Sequence, residues 1–161
     1  MRMKENIDLE KFWVSLKNES DRGVVLISFE LIHNFLTNLF EKYLILNSEL
    51  RKTILESPLA PLNTFSNKSK MAYSLGLIDK KHYNNLEYLR KIRNKFAHRI
   101  FDASFDDAKI IGWCKKLDIT RIPGYDPSNY RHLFYDAAYY LAGYLQGHIV
   151  SIEKQVYESK K

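Results

Sequence analysis

Three residues within six positions carry the most specific chemistry this sequence could perform: Arg93, Asn94 and His98, in the run RNKFAH. An arginine offers a planar, permanently charged fork suited to phosphate, and a histidine moves protons near neutral pH. On a continuous helix, at ~100° per residue, Asn94 and His98 lie one turn apart on one face, so Asn94 can orient His98. Arg93 and His98 are about 140° apart. They reach one phosphate only if the helix loosens near Ala97 or a second copy supplies the other half. The spacing favours a site built across a two-fold axis, and hence a homodimer.

The helix that positions these residues is LEYLRKIRNKFAHRI, with Leu86, Leu89, Arg93, Phe96 and Ile100 read as one amphipathic stripe. Arg93 then occupies a core position, where an unpaired charge is costly. Two readings follow. Arg93 is the buried half of an ion pair with an acid on a facing helix, Glu30 being the candidate, or this face lines a cleft where Arg93 binds phosphate. Charge invites an anionic ligand, with a solvated helix face as the alternative: between Lys80 and Arg99 there are seven Lys/Arg against one acid, Glu87, a local excess equal to the +6 of the whole chain. The expected nucleic-acid contacts are Arg90, Lys91, Lys95 and Arg99.

Helical periods recur along the rest of the chain and strand signals are scarce. A short helix holds Leu9, Phe12, Trp13 and Leu16. Ser20 or Asp21 caps a long one from about Asp21 to Leu46, whose polar strip is Glu30, His33, Asn34, Thr37 and Glu41. ESPLAPLN ends one helix and leads as an extended connection to the next, which is capped by Thr64 or Ser66 and stopped by Gly76. Asp79 caps the basic helix, about Lys80 to Arg99. Ser104 opens a helix to about Leu117, and Asp126 with Pro127 starts a last one, from about 127 to 157. In that last helix Ala138, Ala142, Gly143 and Gly147 allow close approach of a backbone, within the fold or across a dimer. The expectation is an all-α bundle, one domain over residues 1–161, without significant β-sheet.

The single Cys114 excludes an internal disulfide, and no Cys/His spacing suggests a metal or cofactor site. No uncharged run reaches the ~20 residues of a spanning helix, and the N-terminus lacks a signal-peptide core. A cytoplasmic location away from the membrane is expected. His33, His82, His132 and His148 form no ligand pattern, and Tyr139, Tyr140 and Tyr144 read as packing residues.

R-N-K-F-A-H resembles the R-N-x-x-x-H motif of the HEPN superfamily, small helical proteins that commonly dimerise. The wider chain is similar to the mannitol operon repressor (MltR) family, also helical, through SDRGVVLISFELI, PLAPLNTFSNKSKMAYSLGLIDKKHYNNLEYLRKIRNKFAH and FDDAKIIGWCKKL, which span Ser20 to Leu117. The first resemblance implies a metal-independent endoribonuclease of toxin or RNA-processing type, with RNA as substrate and an antitoxin or regulator as partner. In that role His98 is the general acid/base, Arg93 stabilises the phosphate and Asn94 holds the geometry. The second implies a non-enzymatic transcriptional regulator acting through protein or DNA contacts. No helix-turn-helix signature accompanies it.

Overall fold

Short polar side chains set the helix starts in the computed structural model, which describes residues 7–44, 47–99, 101, 103–119 and 126–159, with side chains to 152. Asp8 caps α1 (Leu9–Ser15), Ser20 caps α2 (Asp21–Tyr43) and Asn47 caps the short α3 (Ser48–Arg51), which runs on into a π-helical turn, Lys52–Glu56. Thr64 caps α4 (Phe65–Ser74) and Asp79 caps α5 (Lys80–His98). Each side chain accepts a bond from a first-turn N–H that would otherwise lack a partner. Beyond α4, Gly76 has φ 71°, with Gly76 N–H donating to Tyr73 O and Leu77 N–H to Ala72 O. That paired closure needs the left-handed backbone glycine adopts without strain.

Two expected starts are displaced. Asp107, rather than Ser104, caps α6 (Ala108–Cys114), accepting from Lys109 and Ile110 N–H; Ser104 holds only the preceding turn through Asp106 N–H. The last helix, α7, is Tyr130–Ser159, and its first-turn cap is Asn129, which accepts from His132 N–H. Asp126 folds onto Ser128 in a separate turn. ESPLAPLN forms consecutive turns rather than an extended connection, closed by Ala60 N–H to Ser57 O and Asn63 N–H to Ala60 O. α2 ends at Tyr43, before the expected Leu46, which with Ile100 lies outside the described residues.

Among the described residues the structure is all-helical, and the buried apolar side chains other than Ala60 form one cluster. Its centre is the pairing of α2 with α7, the most extensive helix contact. α2 contributes Val25, Ile32, Leu36, Leu39 and Phe40, and α7 Phe134, Ala138, Leu141, Ala142 and Leu145. Burying each large side chain contributes ~1.5–3 kcal/mol. The two alanines thus pack inside the fold, whereas a Cβ added at Gly143 or Gly147 meets nothing within 4 Å. Arg131 of α7 binds Asp21 at 2.5 Å and Glu19 O at 2.6 Å, and Tyr135 donates to Trp13 O at 2.6 Å. By length and mean hydropathy α2, not the uncharged run of α7, is apolar enough to cross a membrane. Ten α2 residues are buried against its neighbours. α4 and α5 complete the wall beside α2, and α6 braces α5 and α7.

Candidate functional site

The buried stripe of α5 is His82, Asn85, Leu86, Leu89, Ile92 and Phe96. Ile92, not Arg93, takes the core step between Leu89 and Phe96, because steps of three and four residues both keep to a helix face. Arg93 is displaced to the border, half-buried, where it faces α2. Its guanidinium lies over the Phe29 ring at 5.3 Å, and Nη1 donates to Asn94 Oδ1 at 3.2 Å. The expected pair with Glu30 does not form; Glu30 is exposed. His98 is exposed in the last turn of α5. Asn94 lies one turn before it on the helix and accepts from Arg93, whose contacts are with Asn94 and with Phe29 of α2.

The four expected nucleic-acid contacts are mostly engaged by acids. Arg90 holds Glu87 in a two-pronged contact, Nη2 to Oε2 at 2.8 Å and Nε at 3.2 Å. Lys95 and Arg99 share Asp107, at 3.5 and 3.8 Å. Lys91 is exposed and lies 5.4 Å from the Tyr88 ring centre. At the other end of the helix Lys81 meets Asp118 at 3.5 Å. The local charge excess is therefore reduced by folding, since the cap of α6 delivers Asp107 to the last turns of α5. Arg22 of α2 also donates to Arg99 O, tying that end to the bundle.

Sequence reasoning did not find the polar centre where α2, α4 and α5 meet. Lys68 of α4 is 2% exposed, and its Nζ lies 3.0 Å from His33 Nε2 and 3.4 Å from Asn63 O. Burial, followed by the charges of Lys68 and Arg93, holds His33 at a pKa of about 4. The imidazole is neutral at pH 7, so Nε2 accepts from the Lys68 ammonium. Burial also lowers the Lys68 pKa, opposed by Glu30 and Glu41. A signal was present: Phe65, Lys68 and Ala72 step by three and four residues, placing a lysine on an apolar stripe.

A second polar cluster joins α5 to α7. His82, 5% exposed, binds Asp79 Oδ1 through Nδ1 at 2.8 Å and Tyr140 Oη through Nε2 at 3.0 Å, while its ring stacks on Tyr144 at 3.4 Å. Tyr140 and Tyr144 pack against the core as expected, whereas Tyr139 is exposed with its ring edge-on to Trp13. Asn85, fully buried, exchanges two bonds with the Asp118 backbone, at 2.8 and 2.9 Å. Burial raises the Cys114 thiol to about 12, leaving it protonated. No group of three or more potential metal ligands occurs among the described residues.

Comparison with known proteins places this arrangement in context. The family model described as Mannitol repressor (MtlR) matches residues 14–138, extending the similar region beyond Ser20 to Leu117 at both ends. Among solved structures, a chain of the MtlR–HPr complex from Escherichia coli superposes with a TM-score of 0.61 at 18% identity, covering 89% of this chain and 99% of that one. At that identity the likeness concerns the fold. No curated protein matches.

Proposed function

Because this chain belongs to the mannitol repressor family, we propose that it is a non-enzymatic cytoplasmic regulator, one helical domain that exerts its control through contact with a protein partner. The observation that carries this reading is the condition of the basic helix. Arg90, Lys95 and Arg99 are held by Glu87 and Asp107, and Arg93 by Phe29 and Asn94. Four of the seven cations of this helix, Lys81, Arg90, Lys95 and Arg99, engage acids, which weakens it as a counterion-releasing platform for nucleic acid. The solved relative is an MtlR in complex with HPr, which makes a protein of the HPr kind the first partner to try. Calorimetry of the purified chain with HPr from its own host tests this, alongside mannitol-operon transcript levels after deletion of the gene. Saturable 1:1 binding and raised transcript support the proposal; no complex with HPr and unchanged transcript reject it.

A second reading, RNA cleavage by a homodimer, is favoured by one observation: His98 is exposed and Asn94 lies one turn before it. Arg93 from a second copy would then supply the phosphate contact. Sedimentation must show a dimer, and His98→Ala must abolish cleavage in EDTA, since general acid/base groups contribute ~10²–10⁴ in rate. A strict monomer, or wild-type protein that leaves varied RNAs uncut, removes this reading.

A further inference from the structure

Lys68 is the charge least accounted for by its surroundings. It is 2% exposed, yet no carboxylate lies within ion-pair distance of it among the described residues; its ammonium is held by two neutral acceptors, His33 Nε2 and Asn63 O. Arg93 approaches the same junction from α5. It also makes no ion pair there, its guanidinium lying over Phe29, one turn before His33 on α2. Phe29 packs on Phe65 at 4.2 Å and Phe65 meets the His33 ring edge-on at 5.8 Å, so the polar groups have an aromatic wall. Removing a cation from water without a counter-charge costs more than bonds to neutral groups return.

We infer that Lys68, Arg93 and His33 form a binding site for a small phosphate-type oxyanion at the α2/α4/α5 junction. Lys68 supplies a buried point charge, and Arg93 a planar fork at the half-buried border. His33 becomes a further donor once the anion separates its Nε2 from the Lys68 ammonium and the ring takes up a proton, since an ammonium and a protonated Nε2 at 3.0 Å would both donate. The charged groups facing it are Lys68 from α4 and Arg93 from α5. Glu30 and Glu41, from α2 itself, act on Lys68. Glu41 is already held by Arg51 at 2.5 Å, and Glu30 is exposed, so neither fills the place of the anion. Anion binding therefore draws a proton onto His33. The inference is independent of the regulator reading, because it concerns a different face of α5 from His98 and needs no macromolecular partner.

Free phosphate and the phosphate group of a small monoester share this chemistry. Calorimetry and thermal unfolding of the full chain are to be compared in inorganic phosphate, glycerol phosphate, glycerol, and chloride at matched ionic strength. The expected result is binding and stabilisation by the two phosphates alone, with proton uptake visible as a buffer-dependent heat. Equal affinities would assign the site to phosphate itself, and a tighter monoester would extend it to organic phosphates. Lys68→Met keeps the apolar stem and removes the buried charge; it should weaken binding on the order of 30-fold. Stabilisation no greater than in chloride overturns the proposal, as does binding unchanged in Lys68→Met, which would mark an adventitious surface anion. If that variant does not fold, the His33 ring resonance of the wild type decides. Phosphate must raise its titration midpoint, and an unmoved midpoint rejects the site.

Discussion

A guanidinium laid over an aromatic ring and one locked into a buried ion pair differ in what their removal does. The first contributes ~0.5–2 kcal/mol, whereas deleting one half of a buried pair costs ~3–5 kcal/mol by stranding the other. With Arg93 over Phe29 and Glu30 exposed, Arg93→Ala should lower stability by about 1 kcal/mol. Urea denaturation measures it, and a much larger loss would restore the ion-pair account. His33 makes a prediction in pH. Its folded pKa of about 4 lies below the ordinary 6.5, chiefly through burial and then through Lys68 and Arg93. The unfolded chain therefore takes up this proton first. Its contribution to stability is complete above pH 6.5 and is lost as pH falls toward 4. Discounted for partial exposure, the loss is about 2 kcal/mol. His33→Gln should flatten the stability profile across that window relative to wild type; parallel profiles would show that His33 is not held neutral.

At the scale of elements, Asn85 shows how one side chain fastens a segment to a helix. Its amide both donates to and accepts from the Asp118 backbone while fully buried. Asn85→Ala leaves two backbone groups without partners and should cost about 2–3 kcal/mol, read from the urea midpoint; a change below half of that would mean water reaches them. The glycines of α7 predict the opposite sign. A Cβ at Gly143 or Gly147 meets nothing, so each Gly→Ala should stabilise an isolated chain by about 1 kcal/mol. Should the substitutions lower stability in a concentration-dependent way, the glycines would be a dimer contact. The helices were legible because caps such as Ser20, Thr64 and Asp79 stand directly before apolar periods. Ser104 and Asp126 resemble caps in sequence because each stands a few residues before another capable side chain, Asp107 or Asn129, which takes the role in the fold. Packing of Ile110 and Leu133 decides where the first turn begins. Arg93 was read into the stripe because local spacing admits both it and Ile92. The Lys68–His33 contact joins residues 35 apart in sequence and depends on how α4 meets α2, which no local pattern specifies.

For the molecule as a whole, the distribution of charge in sequence and in space differs, and that difference bears directly on partner choice. Along the chain the +6 excess is concentrated between Lys80 and Arg99. In the fold, Asp107 and Asp118 come from outside that segment to meet Lys95, Arg99 and Lys81. Asp107 has the larger effect because one carboxylate serves two cations at the end of α5 where His98 lies. Asp107→Asn removes that charge while keeping a residue that caps helices well, so α6 should survive the change. Lys95 and Arg99 would then be released for phosphate contacts, each adding ~0.7–0.9 to the slope of log affinity against log salt. The expected outcome is weak, shallow salt dependence in wild type and a slope steeper by about 1–2 in the variant, measured by fluorescence anisotropy with single-stranded RNA. A wild-type slope already as steep as the variant's would mean that both cations reach phosphate in the wild type. The compensated helix would then no longer favour a protein partner over nucleic acid.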